Sequence, residues 1–461
     1  MASLRPFRSL VINIPKAISN LSSIGTTRNS VAEDLFTNPI DRTATSSSPK
    51  ENISSLRDEL HGHGDWSNLL DPLHPWLRRE IIKYGEFSQA TYDAFDCNSF
   101  SKYSGSSLYS PSRLFEKLGL TGNGYCITKY IYAMSNVELP RWLEHSLDAD
   151  TWSKDSNWMG FVAVSDNAES RRIGFRDIVV AWRGTVSPAE WLEDIQLKLE
   201  PLRDGEGHVK VEHGFLSIYT SKSEATRYNK SSASEQVMEE IRRLVAHYRG
   251  KGEQVSLTVT GHSLGGALAQ LNAHEAASSI PDLPVSVISF AAPRVGNDPF
   301  GDEMIERDVK VLRVVVKQDV VPKFPGVLLN ERLIKMLKCI SGLLDWVYAH
   351  VGSELSLDVN ASPYLKHGFD LVGFHDLEMY MHLVDGYLSE DAGFRPDARR
   401  DIALVNKFSG MLRDELKIPP SWDQPENKGM VRNAHGRWVL RQRAPEDIPP
   451  SYRHWRLVVL P

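Results

Sequence analysis

The chain has 461 residues, 41% hydrophobic and 24% charged, with a net charge of −6 and three cysteines, Cys97, Cys126 and Cys339. That composition suits a globular protein large enough to bury a core without staples. The acidic balance argues against nucleic-acid binding, three scattered cysteines make neither a disulfide framework nor a zinc site, and no apolar run reaches the roughly 18 residues of a membrane span.

In chain order, residues 1–52 stand apart. Arg5, Arg8, Lys16 and Arg28 are basic, serines recur, and no acid precedes Glu33. Leu4, Phe7, Leu10, Val11 and Ile14 recur at helical spacing. A basic, serine-rich, acid-poor start of this kind reads as an organelle transit peptide, plastid or mitochondrial on composition alone, with a disordered tail as the alternative. The polar run Thr43 to Ser48, closed by Pro49, reads as a linker. Residues 53–155 read as an N-terminal helical extension. Trp66, Leu69, Leu70, Leu73 and Trp76 anchor it, and Leu77 to Phe95 reads as a helix with Ile81, Tyr84, Phe87 and Tyr92 near one face. A loop-rich stretch follows.

Residues 156–396 alternate between two periods. Phe161–Val164, Ile178–Trp182, Val255–Thr260, Val285–Ala291 and Val309–Val316 are short β-branched runs, and Ser234–Tyr248 and Leu264–Ser279 are helical. Continuous apolar strands alternating with helices predict an α/β core with a mostly parallel central sheet flanked by helices. Residues 397–461 read as a further helix, Arg399 to Leu416, and a tail packing on the core.

The sharpest motif is Gly261-His262-Ser263-Leu264-Gly265, a G-x-S-x-G between a β-branched run and an Ala/Leu-rich helix. A serine hydroxyl is a poor nucleophile unless it is exposed, near a base and aimed at a carbonyl. A sharp strand-to-helix turn provides that exposure, and the glycines let backbones approach. The helix N-terminus adds amides, Leu264 first, that can hold an oxyanion. An acid and a base are then needed downstream. Asp319 ends the run Val311 to Val316 and its two following residues, at the edge where parallel sheets place site residues. Among the later histidines, 350, 367, 375, 382, 435 and 454, His375 stands at a loop–helix junction, with His382 and His350 as rivals. Upstream, Val179 to Trp182 reads as a strand running into Arg183-Gly184-Thr185, and the Thr185 amide can face a developing oxyanion. Ser187-Pro188-Ala189-Glu190 forms a capping box opening a short apolar helix with Trp191, a candidate lid.

Together, Trp182-Arg183-Gly184-Thr185, Gly261 to Ala269 and Pro293-Arg294-Val295-Gly296-Asn297 resemble the class 3 lipase family. Tyr84 to Phe95, Asn157 to Val164 and Asn427 to Asn433 are similar to its plant plastid phospholipase A1 branch of class I, gamma type. The resemblance spans about residues 55 to 440, and an insert-like stretch, Pro322 to Gly373, departs from it. It implies an α/β-hydrolase fold and a triad of Ser263, Asp319 and His375, with Thr185 and Leu264 as the oxyanion hole. It implies no cofactor, no metal, and no obligate protein partner. The implied substrates are glycerolipids at a membrane surface: the sn-1 acyl group of phosphatidylcholine, with galactolipids and triacylglycerol as further substrates. The implied compartment is the chloroplast. A carboxylesterase for small soluble esters, or a non-catalytic lipid-binding protein on the same fold, are the competing readings.

Overall fold

The structure, a computed structural model, describes residues 51–98, 101–134, 156–185, 198–202, 207–325, 347–368, 370–423, 430–432, 434–440 and 442–450. The first long element is helix α1, Pro75–Asp93. Pro75 opens it with the backbone angle a helix needs and no amide to lose. The side chain of His74 caps it, accepting from the Trp76 amide at 3.2 Å. The central sheet follows: β1 Tyr125–Ala133, β2 Asn157–Ser165, β3 Arg176–Trp182, β4 Val255–His262, β5 Val285–Phe290, β6 Lys310–Val316 and β7 Ser353–Leu357, lying side by side in chain order. The pairs β1–β2 and β2–β3 are antiparallel, and every pair from β3 to β7 is parallel. The mostly parallel sheet expected from the apolar runs is therefore present.

Both faces are covered, so every position of β2 to β5 is buried, the polar side chains Asp177, Ser256, Thr258, Thr260 and Ser286 included. Helices α2, Ala233–Arg249, and α3, Leu264–Ser279, pack Val237, Ile241, Leu264, Leu268 and Leu271 against Ile178, Val180, Leu257, Val259 and Val287. A reciprocal capping box between Ser232 and Glu235 starts α2. On the other face lie α1 and α4, Leu377–Gly386. A Cβ on Gly85 of α1 would come within 2.8 Å of Met381 Sδ and 3.1 Å of Phe290, so glycine sets that close helix–helix–strand approach.

Three expectations change. The region expected as a purely helical extension supplies β1, whose mixed buried and exposed positions fit an edge strand, and a boundary at 155 would divide β1 from its partner β2. The insert-like stretch from Pro322 to Gly373 contributes β7, the other edge of the same sheet. The helix expected over Arg399 to Leu416 is instead two 3₁₀ turns, Ile402–Asn406 and Asp414–Leu416. Side chains there compete with the helical ladder. Asn406 accepts from the Leu412 amide and donates to the Ile418 carbonyl, both at 2.9 Å, and Ser409 Oγ takes the Val405 carbonyl at 2.7 Å. Buried Arg400 ties this segment to Glu86 of α1, at 2.8 Å, and to Glu378 of α4.

Candidate active site

Strand β4 ends at His262 and helix α3 begins at Leu264, so Ser263 alone makes the turn. Its backbone sits at φ 57° and ψ −128°, a conformation that strains any residue with a Cβ. Two contacts hold it there. The Ser263 amide donates to the Phe290 carbonyl at 2.9 Å, and its own carbonyl accepts from Gly266 at 2.9 Å. A Cβ on Gly261 would run into the Gly265 carbonyl, and one on Gly265 into the Trp182 carbonyl. The motif's glycines therefore allow α3 to sit directly on β3 and β4. Contrary to the exposure expected of this turn, Ser263 is 1% exposed, and its Oγ is buried without a hydrogen-bond partner among the described residues. The amides of the first turn of α3 have no carbonyl within the helix to bond, and Leu264 is the first of them.

Asp319 lies three residues beyond β6, and His375 lies between the short helical turn Leu371–Phe374 and the start of α4. Both are almost fully buried, and His375 Nδ1 meets Asp319 Oδ2 at 2.7 Å. Asp319 Oδ1 accepts from the Val321 amide at 2.9 Å. The same Oδ2 also accepts from Tyr380 Oη at 2.7 Å, a residue not singled out from the sequence. Tyr380 is itself located by the Val316 amide, which donates to its hydroxyl at 3.2 Å. Burial and the neighbouring Asp319 charge raise its pKa well above the usual phenol value, so it remains a donor. The only sequence signal for it is its position in the second turn of the helix that His375 precedes.

The ring of His262, beside Ser263 in the chain, stands 4.7 Å from the ring of His375. That contact brings the Asp319–His375 pair to the elbow. The rival histidines are engaged elsewhere: His382 Nε2 with Ser362 Oγ at 2.8 Å, and His350 Nε2 with Arg294 Nε at 3.2 Å. Thr185 is buried, and its Oγ1 lacks a hydrogen-bond partner. It follows Arg183, whose fully buried guanidinium stacks on Phe95 at 3.7 Å and donates to the Gly184 carbonyl at 3.1 Å. The candidate lid residues Pro188 and Trp191 lie outside the described residues.

A cleft of about 630 Å³ opens at the opposite end of the sheet, where Val255, Val285 and Lys310 begin their strands. Its charged lining is already occupied: Arg57 bonds Gln254, Arg249 bonds the Pro281 and Asp282 carbonyls, and Lys310 pairs with Asp308. None of the elbow residues lines it.

Residues 179–329 match the family described as Lipase (class 3). The chain is 46% identical over 411 residues to Phospholipase A1-Igamma1, chloroplastic, of Arabidopsis thaliana, covering 85% of this chain and 80% of that one. It is 41% identical over 406 residues to Phospholipase A1-II 1 of Oryza sativa subsp. indica, covering 86% of this chain and 98% of that one. A lipase structure from Rhizopus microsporus var. chinensis aligns at 20% identity and a TM-score of 0.41, over 64% of this chain and 78% of that one.

Proposed function

The chain belongs to the class 3 lipase family, and from that premise we propose how it works, as a phospholipase A1 whose chemistry Ser263, His375 and Asp319 carry. It is a carboxylic ester hydrolase with a lipase or phospholipase A1 function, in line with its Arabidopsis and rice relatives. The observation that carries the site assignment is the buried 2.7 Å His375–Asp319 pair beside a serine held at a strained turn with its Oγ unbonded.

Asp319 fixes the imidazole with its proton on Nδ1, so Nε2 is the basic nitrogen. His375 takes the Ser263 proton as Oγ attacks the ester carbonyl. The Ser263 Oγ–carbonyl bond forms as the carbonyl π pair moves to oxygen, and the Thr185 and Leu264 amides receive that charge. Collapse of the intermediate expels the lysolipid alkoxide, to which His375 returns the proton. Water repeats the two steps on the acyl-enzyme and releases the fatty acid. Asp319 remains ionised and stabilises the imidazolium. Tyr380 and the Val321 amide keep that carboxylate oriented toward the ring.

The plastid is the compartment, as for the relatives named chloroplastic, with residues 1–52 as the targeting segment. The substrate is a membrane glycerolipid cleaved at the sn-1 position, phosphatidylcholine first and galactolipids next. Vesicles of phosphatidylcholine with different chains at sn-1 and sn-2 test this. Release of the sn-1 chain is expected. Release of the sn-2 chain, or activity only on short soluble esters, would contradict the assignment.

A further inference from the structure

The sequence places Tyr92 on the buried side of α1 and gives it no role beyond packing. The structure gives it one at the opposite end of its side chain. Part of the ring reaches the surface while the hydroxyl points inward to the elbow. Tyr92 Oη lies 2.8 Å from His262 Nδ1 and 3.5 Å from the His262 carbonyl, and it stands directly against Gly184. Space at this junction is so limited that a Cβ on Gly184 would collide with Tyr92 Oη and the His262 carbonyl.

One hydroxyl thus bridges two segments that must keep their spacing for the reaction: the end of β3, which leads through Gly184 to the Thr185 amide, and the end of β4, which leads through His262 to Ser263. Arg183 already holds the Gly184 carbonyl. That carbonyl and the Thr185 N–H belong to one peptide plane, and Tyr92 Oη fills the space beside the Gly184 Cα from which the plane starts. In the tautomer with the His262 proton on Nε2, the Tyr92 hydroxyl donates to His262 Nδ1. His262 is kept neutral by burial and by the nearby His375 ring. A neutral imidazole beside His375 adds no positive charge against the imidazolium that forms there.

We infer that Tyr92, acting through His262 and Gly184, is a positioning residue that sets the oxyanion-binding amide of Thr185 against Ser263 and the ring of His375. It rests on the site assignment proposed above. It also makes α1, which lies outside the residues matched by the family profile, part of the working site.

The test is Tyr92→Phe in the full chain, assayed on a short soluble ester and on phosphatidylcholine vesicles beside Ser263→Ala and His262→Asn. Loss of one hydrogen bond at a site that must be preorganised predicts a kcat lowered roughly 10-fold on both substrates. KM should stay within about twofold, because the hydroxyl does not touch substrate. His262→Asn removes the ring through which Tyr92 acts and should lower kcat by a similar factor, with the Tyr92→Phe/His262→Asn double variant little worse than either. If Ser263→Ala retains turnover, the site assignment itself fails. If Ser263→Ala is inactive while Tyr92→Phe keeps wild-type kcat, only the positioning role fails. A low kcat that comes with a collapsed thermal midpoint, or losses that simply add in the double variant, makes Tyr92 a structural residue and overturns the inference.

Discussion

Toward the N-terminal ends of β3 and β4, buried Asp177 accepts from Tyr84 at 2.9 Å, Tyr125 at 2.8 Å and Thr258 at 2.9 Å. At their C-terminal ends, the hydroxyls of Ser263 and Thr185 are also buried and have no hydrogen-bond partner among the described residues. Around Asp177 the satisfaction extends outward: Lys83 bonds Tyr125 and Glu80. A buried hydroxyl normally finds a partner, and leaving one without costs about 1–3 kcal/mol. The same sheet therefore carries one polar cluster whose groups satisfy each other and one, at the proposed site, whose two hydroxyls have no partner among the described residues. The first holds α1 to the sheet. The second is where a substrate carbonyl would supply the missing partners.

The difference is broken most severely at the second end. Ser263→Ala is expected to lower kcat by roughly 10⁶, and His375→Ala by a similar factor, with the double variant little worse than either. Thermal unfolding of Ser263→Ala should be nearly unchanged, since Oγ makes no bond to lose. A variant keeping a tenth of wild-type turnover would remove that residue from the mechanism. A pair of tyrosines sharpens the contrast. Tyr380→Phe takes one of three donors from Asp319 and should cut kcat roughly 10-fold. Tyr84→Phe takes one of three from Asp177 and should cost about 1–3 kcal/mol of stability with kcat intact. Steady-state kinetics beside chemical denaturation separate the two, and a Tyr84→Phe protein with impaired kcat would erase the distinction.

The smallest effect is a pH dependence. Burial raises the Asp177 pKa from 3.8 to about 6. The folded state thus holds this proton over a range in which the unfolded chain has released it. Stability from this group is fully present below about pH 4, falls as pH rises, and is gone above about 6. Asp177→Asn has no such proton, so the thermal midpoint of the wild type relative to the variant should decline from pH 4 to 7. A constant difference would show that Asp177 titrates normally.

Much of this was open to inspection in the sequence. The run at Ile178–Trp182 is legible because a strand buried on both faces can be apolar at every position, and Val255–Thr260 because β-branched residues fill it ahead of the glycine motif. Ser263, Asp319 and His375 each stand at the end of an element, where spacing and punctuation locate them. The edge strand β1 is harder to see because its exposed positions dilute the apolar pattern. The segment from Arg399 to Leu416 deceives because Asn406 and Ser409 act through tertiary and turn contacts that no helical periodicity records. Tyr380 and Tyr92 are invisible for a stronger reason. Their partners Asp319 and His262 lie 61 and 170 residues away, so only the folded chain shows what their hydroxyls do.

The central claim is that Ser263 is a nucleophile activated by the His375–Asp319 pair. A fluorophosphonate reacts only with such a serine, forming a phosphonyl–Oγ bond with loss of fluoride, and peptide mass mapping of the full-length protein reports which residue carries it. The adduct is predicted on Ser263 alone and should be slowed by at least about 10³ in His375→Ala. An adduct on a different serine, or labelling of Ser263 at the wild-type rate without His375, would contradict the account.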